Sequence, residues 1–240
     1  MKRLFCTVLS FFVLYLASGQ VSNPYKTGLT AEQNLIAIGK LNPNAHGGMG
    51  FDERYEGVKG SRMLFDTLLP SFVKVKGQDY FIQLEADIEA EANLLKYRNP
   101  SNGKFYALGT DMITVIVFKS NDQFLSFKTT AGLPFEKALK DQKFCQVLYS
   151  SKPAFLKIAY KVLVKADYKG AYTSDTRYDE YKTDYKYYLK GPDSLFHQVK
   201  LSKKSLAKLY PEKKELIGNS PDPSEALGKE DMVLNIIKGF

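Results

Sequence analysis

From Ser61 onward, apolar and polar residues alternate with a period of two, the pattern of strands that bury one face. The first hairpin carries its own register. A two-residue loop at Gly77-Gln78 sets Val75 opposite Tyr80 and Val73 opposite Ile82, with all four on one face. The even positions continue as Tyr80, Ile82, Leu84, Ala86, Ile88, Ala90, Ala92 and Leu94, while Glu85, Asp87, Glu89 and Glu91 fill the odd ones. Ala, Glu and Leu are good helix formers. A helix, however, would scatter these carboxylates around its circumference, so the alternation predicts one long strand.

Downstream, Asn99-Pro100-Ser101-Asn102-Gly103 reads as a turn between strands at 94–98 and 105–108, and Ser120-Asn121-Asp122 as another between 113–118 and 124–127. A helical turn is expected at 135–139, then strands at 144–149 and along Leu156, Ile158, Tyr160, Val162 and Val164. The alternate face of that last strand carries Lys157, Lys161 and Lys165. Strands at 181–189 and 195–199 bracket the turn Lys190-Gly191-Pro192-Asp193. Beyond Leu201 the period becomes helical. Ser202 caps a turn holding Leu206 and Leu209, Pro211 opens a second short helix ended by Gly218, and Met232, Val233, Ile236 and Ile237 mark a final amphipathic helix.

The predicted class is mainly β: an antiparallel meander over 61–200 forming a curved sheet or partly open barrel, with a C-terminal helical cap over 201–240 packed on the same domain. Residues 20–60 read as an N-terminal adaptor, in which Thr30 caps a short helix over 31–38. The loop Asn42-Pro43-Asn44-Ala45-His46-Gly47-Gly48 follows it.

The first nineteen residues break from all of this. Lys2 and Arg3 precede an apolar run at 4–16 that is too short to span a bilayer, and Ala17-Ser18-Gly19 supplies the small residues that signal peptidase reads. Residues 1–19 are therefore expected to be a signal peptide cleaved before Gln20, giving a periplasmic or secreted protein. Cys6 lies too far upstream of the small residues to be acylated, so no lipid anchor is expected. Cleavage would leave 221 residues at a formal charge of +6, the size of one domain. Cys145 then has no intramolecular partner and reads as a small buried hydrophobe. The basic residues are interspersed with acidic ones along the whole chain. That argues against nucleic acid and for solubility or peripheral contact with an anionic membrane or glycan surface.

The leader, the approach Tyr55-Glu56-Gly57-Val58-Lys59-Gly60-Ser61, the meander, and the ending from Lys203-Lys204-Ser205-Leu206 through Lys213-Lys214 to Asp231-Met232-Val233 resemble uncharacterised exported proteins of Bacteroidota. The resemblance implies location and architecture, and carries no functional residues.

Candidate chemistry is thin. His46-Gly47-Gly48-Met49-Gly50 is similar to the oxyanion loop of some esterases, but Gly218-Asn219-Ser220-Pro221-Asp222 lacks the closing glycine of a nucleophile elbow. Two histidines and one mature cysteine make no zinc set, and Asp175, Asp179, Glu180 and Asp184 lack the spacing of a calcium loop. Glu85 and Asp87 have the separation of paired glycosidase carboxylates, yet four neighbouring acids on one polar face point to solvent. Their mutual repulsion is expected to be offset by the Lys157, Lys161 and Lys165 row of a neighbouring strand. Tyrosine is concentrated between Tyr168 and Tyr188. Tyr172, Tyr178 and Tyr188 are the candidates for a ligand or partner surface, while Tyr185 and Tyr187 share a face with Leu189. The expectation is a non-catalytic envelope protein, with no cofactor, that binds a small apolar or glycan ligand or a partner polypeptide. A carbohydrate- or ester-hydrolysing envelope enzyme is the alternative.

Overall fold

In a computed structural model, which describes residues 28–41, 57–165, 178–223 and 228–240, the alternating segments form one eleven-stranded sheet. Its strands are β1 (Val58–Lys59), β2 (Leu69–Val75), β3 (Ile82–Glu89), β4 (Leu94–Arg98), β5 (Phe105–Gly109), β6 (Ile113–Ser120), β7 (Gln123–Thr129), β8 (Phe144–Tyr149), β9 (Phe155–Val164), β10 (Asp179–Lys190) and β11 (Phe196–Val199). Neighbours run in the order β1-β10-β9-β8-β7-β6-β2-β3-β4-β5, with β11 also on β10, and the sheet does not close on itself. Among the described strands, the β1–β10 pairing is parallel and the others are antiparallel.

This topology forces a curl. β6 lies four positions from β5, yet only Thr110, Asp111 and Met112 join them. Through Leu94, Gly109 is level with Glu89 at the end of β3, whereas Ile113 stands opposite Val75 at the other end of β2. On a flat sheet, four spacings of about 4.8 Å would already part the two strands by roughly 19 Å, beyond the roughly 14 Å that such a link reaches. β6, β2, β3, β4 and β5 therefore coil into a tilted, partly open barrel. Its interior is one core holding Val73, Ile82, Leu84, Leu95, Tyr97, Leu108, Ile116 and Phe118.

Helix α1 (Ala31–Gly39) joins that core through Ala37 and Ile38. Thr30 and Gln33 form a reciprocal capping box at its start, satisfying two otherwise orphaned N–H groups. Asn34 then acts as a short surrogate strand. Its amide accepts from the Gln83 N–H and donates to the Gln83 carbonyl, both at 2.7 Å.

The other half of the sheet is covered on both faces. On one, α2 (Lys203–Leu209), a 3-10 turn (Pro211–Lys213), α3 (Lys214–Asn219) and α4 (Lys229–Lys238) bury Leu206, Ile217, Met232, Val233, Ile236 and Ile237 against Phe155, Leu189 and Val199. Ser202 caps α2 by accepting the Ser205 N–H, and the Tyr210 hydroxyl donates to the Lys190 carbonyl. On the opposite face, Cys145, Leu156, Ile158, Tyr188 and Phe196 pack beneath Leu133, Phe135 and Leu139. Cys145 is fully buried, and that burial pushes its thiol up to about 12.

The strands, the first-hairpin register Val73–Ile82 and the C-terminal helices follow the sequence pattern. Three expectations need correction. The long strand to Leu94 breaks after Glu89. The Ala90 N–H is drawn to the Arg62 carbonyl, and Asn93 adopts a left-handed φ of 57° that turns the chain into β4. Residues 135–139 are not helical. The Glu136 N–H and the Pro134 carbonyl both bond Phe196, so Phe135 bridges β11 and the chain then bends at 136–137. The acidic and lysine strands are not neighbours either, because β8, β7, β6 and β2 lie between β9 and β3.

Candidate functional site

Even-numbered residues of β3 fill the barrel core, so Asp87 and Glu89 project from the outer face, where solvent is expected. Glu85 is exposed there, but Asp87 and Glu89 are 1% and 2% exposed. Residues 61–68 run beside them. Met63 bridges Glu89, the Leu64 N–H donates to the Ile88 carbonyl at 2.8 Å, and Phe65 packs edge-on against Phe118 and Phe127.

Phe65 also secures the segment electrostatically. Its N–H lies 3.2 Å from each Asp87 carboxylate oxygen, and the Ile88 N–H lies 2.6 Å from Oδ1. Burial pushes the Asp87 carboxyl up to about 7. The backbone donors of Ile88 and Phe65 oppose that rise, and the nearby Asp66 carboxylate adds to it.

Glu89 is held by two cations. Lys96, opposite Asp87 in the β3–β4 ladder, sets Nζ 3.1 Å from Oε2 in an ion pair without hydrogen-bond alignment, and Arg62 Nη1 is 3.4 Å from Oε1. Arg62 Nε also faces Glu91 Oε2 at 3.8 Å. A carboxylate this deeply buried is tolerated only with such partners.

Beside this network opens a cleft of about 430 Å³, bounded by Arg62, Asp66, Lys96, Phe105 and Tyr181. Phe105, at the start of β5, is 51% exposed. Tyr181 comes from β10, and its hydroxyl donates to Glu91 at 3.3 Å, joining the two halves of the sheet. Gly60, at φ 76°, lets the cleft walls approach, since a Cβ there would stand 3.1 Å from the Tyr181 carbonyl. The cleft therefore combines aromatic surface with Arg62 and Lys96 fixed against Glu89, a lining suited to polar ligands that carry flat apolar faces.

The sequence candidates separate in the fold. Tyr178, one residue ahead of β10, is 50% exposed and carries Lys59 Nζ at 4.9 Å from its ring centroid, next to the cleft-lining Val58. Tyr188 is 5% exposed and meets Phe135 edge-on at 5.1 Å, so it is not an open surface platform. The two are roughly 30 Å apart along one strand. Tyr172, His46, Asp175 and the leader lie outside the described residues. Tyr185 is exposed and Tyr187 half-buried, with its hydroxyl on Glu230 at 2.9 Å. Lys157 reaches the same Glu230 at 2.9 Å, so its partner is the helical cap rather than the acidic row.

Sequence reasoning did not find Arg62 and Lys96. The opposition of Asp87 and Lys96 follows from a turn at 90–93, which the uninterrupted alternation conceals. No group of three or more His, Cys, Asp or Glu side chains that could hold a metal occurs among the described residues. Nor do those residues contain a helix long and apolar enough to cross a membrane. Comparison with known families, curated proteins and solved structures returns no match to this chain.

Proposed function

We propose that this chain is an exported, non-catalytic protein of the cell envelope that binds a saccharide in the cleft between Arg62 and Tyr181. The observation that carries the reading is the half-exposed Phe105 beside Tyr181, with Arg62 and Lys96 fixed against Glu89. Sugars present axial C–H faces to aromatic rings and hydroxyls to charged side chains, and they gain most where those groups are already immobilised. The leader pattern of residues 1–19 supports export, and the basic excess supports contact with an anionic glycan or membrane surface.

Asp87 favours a second reading, since a carboxyl pushed up to about 7 beside a cleft is also a candidate proton donor for glycoside hydrolysis. Against that role, both of its oxygens accept from Phe65 and the side chain is 1% exposed. Its work is to anchor residues 61–68.

Native mass spectrometry of the protein purified from its own cells tests the proposal. A retained carbohydrate mass is expected. A co-purifying polypeptide in its place would assign the sheet to protein assembly, and turnover of a glycosidase or esterase panel that D87N abolishes would make the chain an enzyme. Either result overturns the saccharide-binding reading.

A further inference from the structure

A second cavity, of about 460 Å³, lies where residues 136–143 pass over β9, β10 and β11. Lys137, Lys140, Lys143 and Lys186 line it around the rings of Tyr160 and Tyr188. Lys186 Nζ stands 4.5 Å from the Tyr160 ring centroid and Lys143 Nζ 5.5 Å from it, so two ammonium groups share one ring. Among the described residues, none of the four lysines has a carboxylate within ion-pair distance.

Two acids lie on the wall, and Asp184 stands opposite Tyr160 on β10. Glu136 is engaged by His197 Nδ1 at 3.1 Å, and the other ring nitrogen of His197 faces Asp193 at 2.9 Å. Asp141 is the remaining carboxylate of the lining, against four ammonium groups. The Tyr160 and Tyr188 hydroxyls bond each other at the cavity wall, where Gln198 adds an amide. Cations held close together without a counter-ion repel one another, and an anion placed among them removes that repulsion while adding charge-assisted hydrogen bonds.

We infer that this cavity is a second binding site, distinct from the Arg62–Tyr181 cleft, that takes a phosphorylated or sulfated sugar through its oxyanion. Lys143 and Lys186 clamp the oxyanion, and the tyrosines and Gln198 meet the ring that bears it. The site stands on its own residues, so it survives if the cleft proves to bind something else. The cavity exceeds what one phosphate fills, which is why the anion is assigned to a sugar rather than to the free ion.

Titration calorimetry in low-chloride buffer with glucose 6-phosphate, glucose 6-sulfate, inorganic phosphate and glucose tests this. Saturable binding of at least one sugar ester is expected, tighter than inorganic phosphate, with none for glucose. K143A and K186A should each weaken it roughly tenfold. K119A, on exposed Lys119 of β6, should leave it unchanged, and an unaltered melting temperature in each variant shows that the fold is intact. Absence of binding by both esters overturns the inference. So does binding that K119A weakens as much as K143A, which would mean diffuse charge. Attachment to phosphatidylglycerol vesicles that needs Lys143 and Lys186, without sugar-ester binding, would assign the cavity to a membrane and equally overturn it.

Discussion

Asp87 and Glu89 stand two residues apart on β3, equally buried and held by opposite means. Glu89 lies between Lys96 and Arg62, whereas Asp87 accepts from the backbone N–H groups of Phe65 and Ile88. A carboxyl whose pKa rises to about 7 in the fold, from about 3.9 in an unfolded chain, is protonated more readily when folded. Its contribution is complete below about pH 4 and is lost as pH rises through about 7, because ionising the buried group then costs the folded state. Urea denaturation of the wild type should therefore lose stability between pH 5 and 8, by on the order of 1–4 kcal/mol from this group. D87N, which cannot ionise, should show a shallower decline over that interval. Parallel pH profiles for the two proteins would show that Asp87 does not titrate in this range.

At the scale of elements, the sequence was most legible where the partner of a residue is its own neighbour in the chain. The Val73–Ile82 register, the turn at 99–103, the Ser202 cap and the helical period after Leu201 are all local signals, and all appear in the fold. What failed was non-local. Ala90 follows the strand alternation perfectly, but its N–H is claimed by Arg62, twenty-eight residues earlier. Residues 135–139 are not helical because Phe196, some sixty residues later, offers a strand edge that Phe135 bridges. The candidate cleft shares this limit: Tyr181 and Arg62 meet across more than a hundred residues, and no periodicity announces it. The helical cap gives an element-scale prediction. Leu206 is fully buried against the β9–β10 face, so L206A should cost about 2–5 kcal/mol. Leu216 is 38% exposed, and L216A should stay within about 0.5 kcal/mol of wild type. Equal losses in thermal or urea denaturation would contradict the packing of α2 described above.

For the whole molecule, the three-residue link from β5 to β6 coils the barrel. The outer face of β3 and β4 also shares a cleft with Tyr181 of β10, so the two halves of one open sheet both line it. At that junction Arg62 and Lys96 are paired with Glu89, while Phe105 is half-exposed beside the Tyr181 ring. The central claim, that this junction binds saccharide, is tested most directly by calorimetric titration of the chain from Gln20 onward with chito-, cello- and manno-oligosaccharides, in parallel with F105A. The account predicts saturable binding to at least one series, weakened roughly tenfold by F105A, with the melting temperature unchanged. No binding by any series, or binding that F105A leaves untouched, would contradict it.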